Sequence, residues 1–356
     1  MNAIQIQSQG TPDVLRFEDV PTPEAGPGQV LIKVEAVAVN YSDVARRNGD
    51  VYPFPTPLPF IPGSEVAGTV AALGEGVSGP EAGTPVFALA GQDGSTGYAQ
   101  YAIANAPGVI PIPSELGMDE ACALVVAGST AVLVLREVAR LAPGESVLVQ
   151  GAAGGVGSYA VQIAKRLGAG TVIAAASTTA KGAAAVELGA DHAVDYTQPD
   201  WAERVRALTD GRGVDIVLEM TGGRVAAQSL TCLAPFGRVV VYGMASRTPL
   251  ELDPATIRTL FYDPALNQSL LSFNLGLFFG LRPEAAVSAL QTLVGFVASG
   301  QVKVQIGHVL PLSEAAEAHR MLEDRRSTGK IILKPWADAP LSSARDSHSL
   351  ETEVPS

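Results

Sequence analysis

Residues 146–167 constrain this chain more than any other stretch. Residues 146–150 (Ser-Val-Leu-Val-Gln) form an apolar, partly β-branched run long enough for one buried strand. Gly151, Gly154, Gly155 and Gly157 then crowd together, and apolar residues recur at helical spacing through Ala160, Val161, Ile163, Ala164 and Leu167. A strand, a glycine-rich turn and a helix make a phosphate cradle. Glycines let backbone N–H groups approach a pyrophosphate, and the helix N-terminus adds partial positive charge. The glycine spacing alone also suits a ligand-free tight turn, so the neighbouring segments decide. Residues 171–176 (Thr-Val-Ile-Ala-Ala-Ala), 213–219 and 237–242 read as further strands, and 179–188 and 201–209 as the helices between them. This β-α-β-α repetition predicts a doubly wound parallel sheet that binds a dinucleotide.

Length and charge narrow the rest. At 356 residues the chain is long enough for two cores. A net charge of −12 argues against a nucleic-acid partner. Its two cysteines, Cys122 and Cys232, can build neither a four-thiolate zinc site nor a disulfide scaffold. No signal peptide is visible, and the most apolar stretches are interrupted by Gly, Ser, Thr or Asn, so no membrane span is expected. A reducing, cytoplasmic setting follows as the default.

Before residue 120 the texture differs. Strand-like runs at 3–7, 30–39, 66–73, 85–89 and 97–103 alternate with Pro and Gly punctuation, which predicts a compact, mostly β unit. Residues 119–141 are helical in composition, in two pieces with a break near Gly128. Residues 244–254 read as a loop, and 260–281 as an aromatic, Leu-rich segment that lines an apolar acceptor pocket or is buried structure or dimer surface. Residues 284–299 return to helical spacing. Strands at 305–310 and 330–333 bracket a helix at 313–323 with Ser313 as its N-cap. Residues 337–356 lack apolar periodicity and read as a disordered tail.

Gly144-Glu145, Leu148, Ala152-Ala153-Gly154-Gly155-Val156-Gly157, Gln162 and Lys165 together resemble the fingerprint of the NADPH:quinone oxidoreductase branch of the medium-chain dehydrogenase/reductase superfamily. The N-terminal part agrees, through Val39-Asn40-Tyr41-Ser42-Asp43, Arg47-Asn48-Gly49, Tyr52-Pro53 and Pro62-Gly63-Ser64-Glu65-Val66-Ala67-Gly68. So does Gly329-Lys330 followed by Ile-Ile-Leu. The resemblance implies a GroES-like, mostly-β catalytic domain from residues 1–120 plus 301–336. A Rossmann domain at 121–300 is inserted in it, and the cofactor lies in the cleft between them.

Zinc-dependent relatives place a Cys near residues 40–43 and a Gly-His-Glu where this chain has Gly63-Ser64-Glu65. Here the Cys is missing, Ser64 replaces the His, and His192, His308, His319 and His348 are scattered. No metal site can be assembled from them, and Glu65 reads as a structural acid. An NAD site would carry Asp or Glu at the end of the second strand. This chain has Ser177 and Lys181 there, which favours NADPH; the bland alternative is a helix cap and a solvated lysine. The resemblance adds Tyr196 to the 2′-phosphate contacts. It puts Asn40 and Thr130 near the nicotinamide, and Gly243 and Phe273 along the cleft. Gly151, Ala153, Gly154, Gly155, Val156, Gly157, Gly222, Met244 and Lys330 complete the expected cofactor set.

The implied activity is zinc-independent hydride transfer from NADPH to quinones or α,β-unsaturated carbonyl compounds. Tyr52 falls where related enoyl-thioester reductases carry a proposed proton donor, with Tyr41 as a second candidate; a phenol is a competent acid. Two alternatives stay open: an enoyl-thioester reductase, and an NADPH-binding structural or regulatory protein with little turnover. The resemblance also implies a homodimer that pairs its nucleotide-domain sheets edge to edge.

Overall fold

The computed structural model describes residues 1–337. Two sheets organise them. The first holds β8 (Ser146–Gln150), β9 (Thr171–Ala176), β10 (His192–Asp195), β11 (Val214–Glu219), β12 (Leu233–Val241) and β13 (Ser269–Ser272), all parallel, in the order β10-β9-β8-β11-β12-β13. Every residue of β8 is buried, as a central parallel strand with both faces covered requires. The winding reverses between β8 and β11, and the crevice at such a switch point is where doubly wound sheets bind ligands.

The second sheet is mostly antiparallel and draws on both ends of the chain. β14 (Ile306–Pro311), β15 (Lys330–Lys334), β3 (Gln29–Val39), β4 (Glu65–Leu73), β5 (Pro85–Leu89) and β7 (Ile110–Pro111) follow one another, and β6 (Tyr101–Asn105) also pairs with β3. A separate short hairpin pairs β1 (Asn2–Gln5) with β2 (Arg16–Asp19). The fold class is thus a GroES-like β unit joined to a parallel Rossmann sheet. β15 closes the β unit by placing Ile331 opposite Val39 and Leu333 opposite Val37, which brings Gly329 and Lys330 to the edge of the crevice.

One apolar core runs through both parts. Ala36, Ala38, Ala67 and Phe87 of the β unit pack with Leu124, Val132, Val147 and Ile163. The helical segment from Met118 to Val138 carries this contact and contains no break at Gly128. It passes through two π-helical turns, Leu124–Gly128 and Val134–Val138. Gly128 serves close packing instead, since a Cβ there would stand 2.2 Å from Leu293 Cδ2.

Other expectations need correction. The aromatic stretch at 260–281 is the end of a helix (Pro254–Tyr262), then β13, then a second helix (Leu275–Leu281). Its edge strand has only four residues with no buried position, too short to carry a period. β2, β7 and β10, of four, two and four residues, are likewise too short to carry a period. Ser313 caps nothing: it sits in a 3₁₀ turn, its hydroxyl has no partner among the described residues, and the helix starts at Ala315. The expected disordered tail lies, apart from Ala337, outside the described residues.

Candidate active site

A cleft of about 1030 Å³, counted with its open mouth, lies between the carboxyl ends of the parallel strands and the β unit. Gly151, Ala153, Gly154, Gly155, Val156 and Gly157 form its floor. Gly151 turns the chain at φ +61°, a region that costs glycine nothing. Gly154 N–H closes the turn onto Gly151 O at 2.8 Å, and the helix Gly155–Arg166 starts at once. Gly157 is obligatory, because a Cβ there would stand 2.2 Å from Gly151 O. The β unit holds the turn from the other side, with Gly329 N–H donating to Ala153 O at 2.7 Å.

One end of the cleft is cationic. Ser177, Lys181, Tyr196 and Arg325 line it, and among the described residues no Asp or Glu lines the cleft. Thr178, not Ser177, caps the following helix by accepting from Lys181 N–H at 3.2 Å. Ser177 makes no side-chain hydrogen bond among the described residues. The Lys181 ammonium donates to Arg325 O at 2.5 Å. Burial first, and then the Arg325 charge, pull the Lys181 pKa below its usual range. Two cations and a free hydroxyl with no facing carboxylate fit a phosphate ester and disfavour a bare ribose diol. The residues present therefore fit NADPH.

The other end is lined by Asn40, Tyr41, Ala127, Met220, Thr221, Tyr242 and Ala245. Tyr41 spends its proton on Ala245 O at 2.5 Å, so it is a tether between the two lobes and not a free acid. Its pKa is raised, first by burial and then by Glu323. The Asn40 side chain is likewise committed: its Nδ2 donates to Ala38 O at 3.2 Å and Glu65 Oε1 at 3.0 Å, and its Oδ1 accepts from Lys330 at 2.6 Å. Asn40 therefore shapes the wall without a spare donor. Lys330 also lines the cleft, yet its ammonium is turned away from it into Glu65.

Several expected residues stand back from the cleft. Tyr52 is half-buried against the Arg46 guanidinium, 5.0 Å from its ring centre, and near Phe54. Thr130 is buried within its helix. Gly222 makes the turn before the helix Gly223–Thr231, donating to Glu219 Oε1 at 3.0 Å. Gly243 packs on Met220, Met244 is solvent-exposed, and Phe273 stacks on Phe278 at 5.3 Å. The cleft gains Arg325, Leu322 and Ser327, which the sequence reading missed. They precede Gly329-Lys330, and the pairing of β15 with β3 is the signal that puts them there.

Behind Asn40 lies a buried polar chain. Asp43 accepts from Asn40 N–H at 2.9 Å, Ser64 at 3.1 Å and Tyr98 at 3.3 Å, and burial raises its pKa to about 6. Arg47 can only donate, so His319 Nδ1 accepts from it and Nε2–H faces Tyr98 Oη at 3.0 Å. That leaves the Tyr98 proton for Asp43. Arg47 is closed off by Glu323 at 2.6 Å. Burial, then the Arg47 charge, push the His319 pKa down to about 3 from 6.5.

An unfolded His319 binds a proton below pH 6.5 and the folded one only near pH 3, so its contribution is complete above pH 6.5 and is lost on acidification. The slope is about 1.4 kcal/mol per pH unit. Urea unfolding of wild type and His319→Gln at pH 7, 6 and 5 should show the gap shrinking towards pH 5. A constant gap would contradict the assignment.

Among the described residues, no group of three His, Cys, Asp or Glu side chains is placed to hold a metal. No described helix is long and apolar enough to cross a membrane.

Residues 26–114 match the family profile described as alcohol dehydrogenase GroES-like domain, and residues 188–333 that of zinc-binding dehydrogenase. A 2-haloacrylate reductase of Burkholderia sp is 33% identical over 343 residues, covering 94% of this chain and 99% of the relative. A quinone oxidoreductase of Pseudomonas aeruginosa is 32% identical over 340 residues, with 93% and 99% covered. The solved structure of Escherichia coli quinone oxidoreductase complexed with NADPH superposes with a TM-score of 0.85, at 28% identity over 94% of this chain and all of that one. The chain belongs to the quinone oxidoreductase branch of the medium-chain dehydrogenase/reductase superfamily.

Proposed function

We propose that this protein is a zinc-free reductase that uses NADPH to reduce quinones or α,β-unsaturated carbonyl compounds. The observation that carries the reading is the cleft itself: a glycine turn at one level, Lys181 and Arg325 beyond it, and no carboxylate in its lining among the described residues. NADPH, when bound, supplies the hydride. The glycine turn and the first turn of the helix Gly155–Arg166 would hold the pyrophosphate, and Ser177, Lys181, Tyr196 and Arg325 the 2′-phosphate. Asn40, Tyr41 and Tyr242 would wall the acceptor end and orient the reactants, which is the main contribution a protein makes to such a transfer. Support for the metal-free part is the lack of a converging ligand set among the described residues and the placement of Lys330 beside Glu65.

Quinones are the better-supported acceptor, since Tyr41 is tethered and Tyr52 packs on Arg46. The test is NADPH oxidation against quinones, enones and 2-enoyl thioesters. Quinone turnover should be fast and should stay within about twofold in Tyr52→Phe, as a group outside the transition-state contacts should. Turnover confined to enones or thioesters, and lost in Tyr52→Phe, would overturn this choice. Tight NADPH binding without any turnover would favour a recruited, non-catalytic role.

We also read the protein as a cytoplasmic homodimer. Cys122 and Cys232 are both buried and unpaired. β13 pairs only with β12 among the described residues, and Phe261, Tyr262, Leu277 and Leu281 on the flanking helices are exposed. Such an edge needs cover. Light scattering that finds only a 36.7 kDa species would exclude the dimer.

A further inference from the structure

We propose that the Lys330 ammonium is a built-in cation, filling from within the chain the cation position that Glu65 and its oxygen neighbours create at the cleft, and thereby positioning the Asn40 wall. The inference rests on the metal-free reading above.

Glu65 is fully buried. Its Oε2 accepts from Val126 N–H at 2.7 Å, and its Oε1 from Asn40 Nδ2 at 3.0 Å and Lys330 Nζ at 2.8 Å. A buried carboxylate demands a counter-charge, and the side chain of Lys330, 3% exposed, supplies it. The ammonium has three N–H groups and three oxygens around it: Val39 O at 3.2 Å, Asn40 Oδ1 at 2.6 Å and Glu65 Oε1 at 2.8 Å. None is left over for a ligand.

The set suits a monovalent cation. One carboxylate, one amide oxygen and one peptide oxygen balance a single positive charge, whereas a dication there would leave net charge buried. Zinc would also want about four ligands at roughly 2.0–2.2 Å, with nitrogen or sulfur among them.

The same cation fixes Asn40. Lysine only donates and a carboxylate only accepts, so the Asn40 oxygen must face Lys330 and its amide must face Glu65. The contacts reach across the molecule. Asn40 precedes the helix Tyr41–Asn48, Val126 belongs to the segment that joins the two lobes, and Gly329 is bridged to Gly154 of the glycine turn. The ammonium thus holds the acceptor end, while the main chain just before it, at Gly329, holds the pyrophosphate turn.

Lys330→Ala deletes a fragment equal to n-propylammonium, which makes that ion the probe. The full chain without cofactor would be followed by thermal unfolding in n-propylammonium chloride, with potassium and tetramethylammonium chlorides as controls. Wild type should be unresponsive, and Lys330→Ala should melt several degrees lower and recover saturably with propylammonium alone. NADPH-dependent menadione reduction should fall at least about 100-fold, the scale of a lost positioning group, and recover in parallel.

The Glu65→Gln/Lys330→Met pair removes both charges. It should regain melting temperature but not kcat, a split that a purely structural ion pair would not give. Propylammonium acting no better than the control ions, or full kcat in the neutral pair, would overturn the proposal. If Lys330→Ala does not fold, the neutral pair decides alone. Metal analysis of wild type keeps the two readings apart: stoichiometric zinc would sink the metal-free reading, while the rescue reports on Lys330 itself.

Discussion

Gly157→Ala should abolish measurable NADPH binding and lower stability by about 3 kcal/mol, towards the upper range for overpacking a tight site. The added Cβ would meet Gly151 O at 2.2 Å, Ala152 Cα at 2.7 Å and Gly151 C at 2.8 Å. All three are backbone atoms, so no side chain can swing aside. The turn must move off the helix that it feeds, and its N–H groups lose their convergence on the pyrophosphate. Gly155→Ala is the milder comparison, because its Cβ would meet no backbone atom: its neighbours are Lys330 Cδ at 3.2 Å and Ala127 Cβ at 3.9 Å. Fluorescence titration with NADPH, beside thermal melts, reads both effects. A Gly157→Ala protein that binds NADPH normally would refute the cradle.

Lys181→Ala and Arg325→Ala should each weaken NADPH binding by about 10- to 100-fold, and together by more, with NADH almost unaffected. Hydrogen bonds to a charged group are worth about 1.5–3 kcal/mol each; Lys181 is partly exposed and Arg325 exposed, so the lower half of that range applies to both. The Lys181 ammonium donates to the Arg325 main-chain carbonyl, which Arg325→Ala keeps, so any non-additivity should come from the two cations sharing one phosphate. The check is kcat/KM for both cofactors in the single and double variants. An equal loss for NADPH and NADH would show that these side chains merely support the fold.

The parts of this site that were legible in the sequence are local ones. A strand, four glycines and an amphipathic helix are contiguous, so their geometry follows from short-range rules, and Ser177 and Lys181 sit at a fixed distance past them. Arg325 was not legible, because only the long-range pairing of Ile331 with Val39 brings it to the phosphate end. Lys330 shows a different limit. A lysine after a glycine at a cleft suggests a phosphate ligand, and only the buried Glu65 behind it reveals where its charge is spent. Phe273 and Tyr52 show a third: aromatic residues near a site have two ways to pack, and here Phe278 and Arg46 took them. The two-lobed fold was legible because Pro/Gly-punctuated strands and β-α alternation are distinct textures. The four-residue strands at sheet edges carry too few buried positions to announce themselves.

The most direct test of the central claim is a pair of equilibrium titrations of the wild-type chain, one with NADPH and one with NADH, followed by nucleotide fluorescence at fixed ionic strength. A cleft with Lys181 and Arg325 at one end and no carboxylate in its lining among the described residues should bind NADPH at least about 30-fold more tightly, the value of two weak charge-assisted contacts. Equal affinity, or a preference for NADH, would contradict it.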